Sequence, residues 1–171
     1  DKETADIAVK ASLTGHLVLS TLHTNDAVST ITRLMNIGVP NYLVTSSLSL
    51  VLAQRLARVS CQHCLVDDEL SIESVLLDIG FSEEEAKTVK AKKSEGCDRC
   101  MNTGIKGRMG IQEVLAVSPK IKELILQDAT EKEMLAAAQS EEFQTMQDIG
   151  RKLIVDGKIT INEFKRVLVL D

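Results

Sequence analysis

The chain has no Trp, and its aromatic side chains come to three Phe and one Tyr. Leu, Ile, Val and Ala must therefore build the core, and there is little with which to stack nucleic-acid bases. Basic charge is not in excess: the net charge is −5 and the pI near 5.3. That balance excludes a general nucleic-acid binder, which needs a basic footprint. No apolar run approaches the roughly 20 residues that cross a bilayer, and the opening "DKET" has charge where a signal peptide turns apolar. A starting Met is missing too, so the sequence reads as a piece of something longer or, less favoured, as a processed product. Internal repeats, low-complexity linkers and a phosphate-binding G-x-x-x-x-G-K-[ST] loop are also absent. Nothing suggests a Ser-His-Asp triad, and the carboxylates read as solvated helix faces.

What is present is an ordinary globular composition over 171 residues, 44% hydrophobic and 26% charged, enough for a real core. "ETADIAVKASLTG" predicts a helix with Ile7, Ala8 and Ala11 on one side and Gly15 as its stop. "HLVLSTL" is a continuous apolar run, the signature of a strand covered on both faces in a parallel sheet. Thr24 or Asn25 can cap a following helix that carries Val28, Ile31, Leu34 and Met35 and ends at Gly38. Pro40 opens a further helix, with Leu43, Val44, Leu48, Val51, Leu52 and Leu56 as its stripe. "SIESVLLDIGF" and "SEEEAKTVKAKK" read as two short helices, the second with Ser82 and Glu85 as a capping box. "TGIKGRMGIQEVL" is broken by glycines, read as turns beside a metal knuckle, and then becomes strand-like. The tail is helical, with starts at Ser118–Pro119, Thr130 with Glu133, Thr145 with Asp148 and Thr160 with Glu163.

Four cysteines stand in two doublets, "CQHC" at Cys61 and Cys64 and "CDRC" at Cys97 and Cys100. Zinc takes four soft ligands tetrahedrally, and each Cys-x-x-Cys turn supplies two. The 65–96 insert exceeds the ~15–20 residues of a common zinc ribbon, but a helical hairpin can fill it. Two separate buried pairs or a redox pair are the alternatives. Four thiolates fill the shell, so His63 inside the first doublet faces solvent, and no position stays open for water. Such a metal holds structure and does no chemistry.

His23 lies at the C-terminal tip of "HLVLSTL", the end at which α/β sheets bind ligands. Imidazole there can donate to a phosphate oxygen, or simply be a hydrogen-bonded residue at a strand end. His16 lies at the other end of the run. "DGKITINEF" imitates half of a calcium loop, but Lys152 and Ile154 fall where ligands are required. It reads as a turn leading into the last helix.

The segments "DKETADIAVKASLTGHLVLSTLHTNDA", "AQRLAR", "CQHC" with "CDRC", "GIKGRMGIQE" and "DGKIT" together resemble the secretion ATPases, the hexameric motors of type II secretion and type IV pilus assembly. The resemblance spans essentially the whole chain and points to the zinc-containing branch. It implies an α/β fold: the C-terminal part of a RecA-like ATPase domain with an incomplete parallel sheet over residues 1–60. A tetracysteine zinc subdomain with a helical insert would follow at 61–117, and a helical C-terminal subdomain at 118–171. It implies that Asp1 matches the aspartate just after the Walker B glutamate, and that His23 and His16 are the two histidines of the family's His box. His23 would sense the γ-phosphate of ATP. Glu3 and Thr4 match a segment beside Walker B, and Arg55 and Arg58 match a packing or subunit-contact segment. Cys61, Cys64, Cys97 and Cys100 match the metal site. ATP with Mg2+ and structural Zn2+ are the implied cofactors. The implied partners are five further copies and the inner-membrane platform and cytoplasmic assembly proteins, with no nucleic acid, in the cytoplasm at the inner membrane. Without a phosphate loop this stretch should be inactive alone, and the first ~60 residues should expose apolar edges. A non-enzymatic, zinc-stabilised adaptor is the competing reading.

Overall fold

The computed structural model describes residues 1–169. In chain order, the first half holds α1 (Lys2–Leu13), α2 (Ala27–Ile37), α3 (Asn41–Ser47), β1 (Leu50–Ser60), β2 (Leu65–Asp67), α4 (Glu73–Asp78) and α5 (Glu83–Thr88). Then come β3 (Lys92–Ser94), a 3-10 turn at Asp98–Cys100, β4 (Ile105–Ala116), α6 (Pro119–Leu126), α7 (Glu131–Gln139), α8 (Met146–Val155) and α9 (Ile161–Leu168). Two two-stranded sheets form, β1 with β4 and β2 with β3. The structure is thus mixed α and β. Contacts gather it into two compact units that do not follow chain order, residues 1–53 with 113–144 and residues 54–112 with 145–169.

The first unit is helical around an aliphatic core. Ala27, Val28 and Ile31 of α2, Val44 of α3, Ile121 and Ile125 of α6 and Met134 of α7 are buried together. The stripe on α2 lies where its periodicity predicts, and Gly38 closes the helix in the left-handed region. Its cap is Asp26, whose carboxylate accepts from the Ser29 N–H at 2.7 Å, and not Thr24 or Asn25. α1 is caught by Asp1, which accepts from Thr4 N–H at 2.8 Å. It lays Ala5 and Val9 against the core, whereas Ile7 faces solvent. Of the predicted face, Ala8 and Ala11 are half-buried and only Ile7 is left out, and no residue of α1 is fully buried.

Two predicted elements differ more deeply. Residues 16–24 form neither helix nor strand, so the expected parallel strand is not formed by this segment among the described residues. A strand, unlike a helix, is completed only by a neighbour that takes its backbone hydrogen bonds, and the described residues offer none here. Leu17 and Leu19 are 89% and 87% exposed as a result. The long helix after Pro40 also stops early, at Ser47. There the Ser46 and Ser47 hydroxyls donate back to the Tyr42 and Leu43 carbonyls at 2.6 Å. From Leu50 onward burial alternates, Val51 and Ala57 inward and Leu50, Leu52 and Leu56 outward. The apparent helical stripe is a strand.

In the second unit, β2 runs antiparallel to β3 with Val66 opposite Lys93, and α4 and α5 form the hairpin between them. Ser82 and Glu85 make the predicted reciprocal capping box. α7 and α8 begin on the same device, Thr130 with Glu133 and Thr145 with Asp148, each cap stabilising its helix by about 1 kcal/mol. At α9 only half of it forms. The Thr160 hydroxyl accepts from the Glu163 N–H at 3.0 Å, but the Glu163 carboxylate turns away to Arg58 and Arg166. The turn at 156–160 leads into this capped helix, with Gly157 in the left-handed region.

Candidate metal centre and the histidine segment

β1 delivers Cys61, fully buried, at its C-terminal end. Its N–H donates to the Gly104 carbonyl at 2.8 Å, and the Cys64 N–H closes the first knuckle onto the Cys61 carbonyl at 3.4 Å. β2 and β3 return the chain so that Ser94 Oγ donates to the same carbonyl at 3.0 Å. The second knuckle is the 3-10 turn. Asn102 N–H donates to the Cys97 carbonyl at 2.9 Å, and Thr103 Oγ1 donates to that of Cys100 at 2.6 Å. Two glycines let the knuckles meet. A Cβ on Gly96 would lie 2.7 Å from the Asn102 carbonyl oxygen, and one on Gly104 would lie 2.6 Å from that of Ser94. Both also hold positive φ, 111° and 69°, so any side chain there is strained twice.

The four sulfurs consequently lie within 4.8 Å of one another. Neighbouring pairs are 3.8 Å (Cys97–Cys100), 3.9 Å (Cys61–Cys97) and 4.0 Å (Cys64–Cys100) apart. A tetrahedral zinc with Zn–S near 2.3 Å requires sulfurs roughly 3.8 Å apart. A disulfide requires about 2.05 Å, and all four cysteines are free. The donor set and its spacing therefore fit a closed four-thiolate metal site. Burial pushes the Cys64 thiol up to about 11. At Cys100 burial acts the same way, but the N–H groups of Cys97 and Gly104 and hydrogen bonds from neighbouring thiols outweigh it, leaving the group at about 6. Ligation of a metal by thiolates releases the protons these sulfurs hold. His63 is exposed and lies outside this cluster, with Arg99 Nη1 3.1 Å from each ring nitrogen.

His16 and His23 belong to the other unit. His16 Nδ1 lies 3.1 Å from Thr14 Oγ1 and 3.2 Å from the Ala11 carbonyl, a polar closure of α1. His23 is exposed near the end of the irregular segment. Directly after it the chain is anchored: Thr24 Oγ1 and Thr30 Oγ1 are 2.7 Å apart. Arg58 N–H and Nε donate to Glu163 at 2.6 and 3.0 Å, tying β1 to α9.

Not every carboxylate is a solvated helix face. Glu113 and Glu163 are buried, with 3% and 5% of their surfaces exposed. Burial alone would raise the Glu163 carboxyl, but hydrogen bonds from Arg166 and from Arg58 outweigh it and hold the group at about 2. Glu113 accepts from the Ala27 N–H at 2.6 Å. A signal for Glu113 exists in the sequence: Ile111, Glu113 and Leu115 occupy alternate positions of one strand and share its buried face.

The family model described as type II/IV secretion system protein matches residues 1–166. The type IV pilus assembly ATPase PilB of Pseudomonas aeruginosa is 42% identical over 98% of this chain and 29% of its own length. The type II secretion system protein HxcR of the same organism is 41% identical over 98% of the chain and 31% of its length. The type II secretion system ATPase E of Vibrio cholerae is 40% identical over 98% and 32%. The chain thus spans about a third of the length of these relatives. With a family model across nearly all of it and this level of identity, the chain belongs to the type II/IV secretion system protein family.

Proposed function

We propose that this chain is part of a hexameric motor ATPase that couples ATP hydrolysis to pilin or pseudopilin assembly, in type IV pilus formation or type II secretion. ATP with Mg2+ would supply the phosphate chemistry, held by a phosphate loop outside residues 1–171. In this reading residues 1–60 complete a RecA-like core, and His23 presents an N–H to the γ-phosphate. His16 holds the far end of the same segment. The observation that carries the reading is the coincidence, in one chain about 40% identical to named assembly and secretion ATPases, of a four-sulfur cluster at zinc spacing with an uncovered, leucine-rich segment ending at His23. The exposed leucines are the faces a neighbouring strand would cover.

Cys61, Cys64, Cys97 and Cys100 would hold a structural Zn2+, which cross-links the two knuckles and, with a full shell, offers no site for substrate. The motor would work at the cytoplasmic side of the inner membrane through platform and assembly proteins, and residues 1–171 alone would not hydrolyse ATP. The test is the full-length protein carrying His23→Ala. Loss of turnover with metal content intact supports the sensor role, and wild-type turnover removes it. A full-length protein without any nucleotide response would leave the zinc-stabilised adaptor as the better description.

A further inference from the structure

Burying a carboxylate on an apolar strand face costs desolvation unless a donor compensates it. On β4, Glu113 lies between Ile111 and Leu115 on the buried face, where an aliphatic side chain would complete the stripe. One donor that compensates it is the Ala27 N–H at 2.6 Å. Ala27 is the first residue of α2 and is fully buried. That N–H is one of the donors a helix start leaves unpaired, and the positive end of the helix favours a carboxylate there.

Two further ties converge on the same few residues. The Asp26 carboxylate caps the Ser29 N–H at 2.7 Å. The Thr30 hydroxyl donates to the Asp26 carbonyl at 2.9 Å and lies 2.7 Å from the Thr24 hydroxyl. Thr24 follows His23 directly, so the backbone next to the imidazole is fixed, while residues 16–23 before it are exposed and irregular.

We propose that Glu113 is a positioning residue for His23: by seating the start of α2 it sets where the imidazole can reach. The inference rests on His23 being a nucleotide sensor. Glu113 touches no substrate and acts through Ala27, Asp26 and Thr24.

The test uses the full-length protein with Glu113→Ala, Glu113→Gln and Thr30→Val, each alone and combined with His23→Ala. Glu113→Ala and Thr30→Val should lower kcat, by up to about 100-fold for a displaced catalytic group, and leave the KM for ATP unchanged. Glu113→Gln, whose amide oxygen can accept the same N–H, should keep most of the turnover. In the His23→Ala background neither Glu113→Ala nor Thr30→Val should cause further loss, the non-additivity expected of coupled residues. Losses that multiply with that of His23→Ala would overturn the proposal and leave the sensor role standing. Equal losses for Glu113→Gln and Glu113→Ala with a raised KM would overturn it as well. Wild-type turnover in His23→Ala alone would remove the sensor role and this proposal together. If Glu113→Ala does not fold, Glu113→Gln and Thr30→Val decide by the same cycle.

Discussion

Residues 61–104 and residues 16–24 treat their candidate side chains in opposite ways. Around the cysteines the knuckle amides and carbonyls find partners within the same unit: Gly104 accepts from Cys61, Ser94 donates to it, and Asn102 and Thr103 close the second turn. The cluster needs only a cation. Around His23 the flanking leucines are uncovered and no ladder forms. One cluster is closed by bonds within the described residues, and the other segment is left uncovered by them. Intramolecular closure suits a structural centre, and in the proposed reading the open segment is where another part of the motor would register a ligand.

The comparison breaks most visibly if the metal is taken away. Cys61→Ser together with Cys97→Ser should abolish metal binding in the full-length protein and unfold the second unit, since a structural zinc contributes on the order of 10 kcal/mol. Metal content and the loss of a cooperative transition check this. Gly104→Ala should come next. Its Cβ meets a backbone oxygen at 2.6 Å and its φ is positive, so about 3 kcal/mol or more is expected, with weakened metal affinity. Denaturant unfolding measures the first and competition with a chelator the second.

A pH titration reaches the same unit by a different route. The folded Glu163 carboxyl, at about 2, is far below its usual value of 4.5. The carboxylate therefore stabilises the fold fully above about 4.5, and that contribution is lost as pH falls from about 4.5 through about 2. It amounts to about 3 kcal/mol. Stability measured across that window should fall in the wild type and flatten in Glu163→Gln. The smallest effect should be that of Gly107→Ala. Its φ is positive at 89°, but nothing lies within 4 Å of a Cβ there, so only the conformational cost of about 1–2 kcal/mol remains. Comparable destabilisation by Gly104→Ala and Gly107→Ala would mean that the contact at Gly104 is not what holds the knuckle.

The cysteine site was legible because its information is local: ligand type and doublet spacing already name a tetrahedral cluster, and the structure brings all four sulfurs together. The capping boxes of α5, α7 and α8 were legible for the same reason. Strands were not. "HLVLSTL" has the composition of a buried strand, yet none of the described residues pairs with it, and its pattern alone cannot create a ladder. β1 imitates a helix because Leu48, Val51, Leu52 and Leu56 satisfy a helical stripe, whereas the partner that makes it a strand, β4, lies far along the sequence. Glu163 looked like the second half of a capping box, and only the arginines at 58 and 166 show why its carboxylate leaves that role. Glu113 is recoverable from sequence, as a charged residue on the inward beat of an alternating strand.

The difference between the two sites is tested most directly by hydrogen exchange on the full-length protein, with and without a non-hydrolysable ATP analogue and with and without a chelator. Nucleotide should slow exchange in residues 16–27 and leave 61–104 unchanged. The chelator should speed exchange in 61–104 and leave 16–27 unchanged. Exchange at 16–27 that ignores nucleotide, or a chelator that releases both segments together, would contradict the division between a centre closed within the chain and a segment completed from outside it.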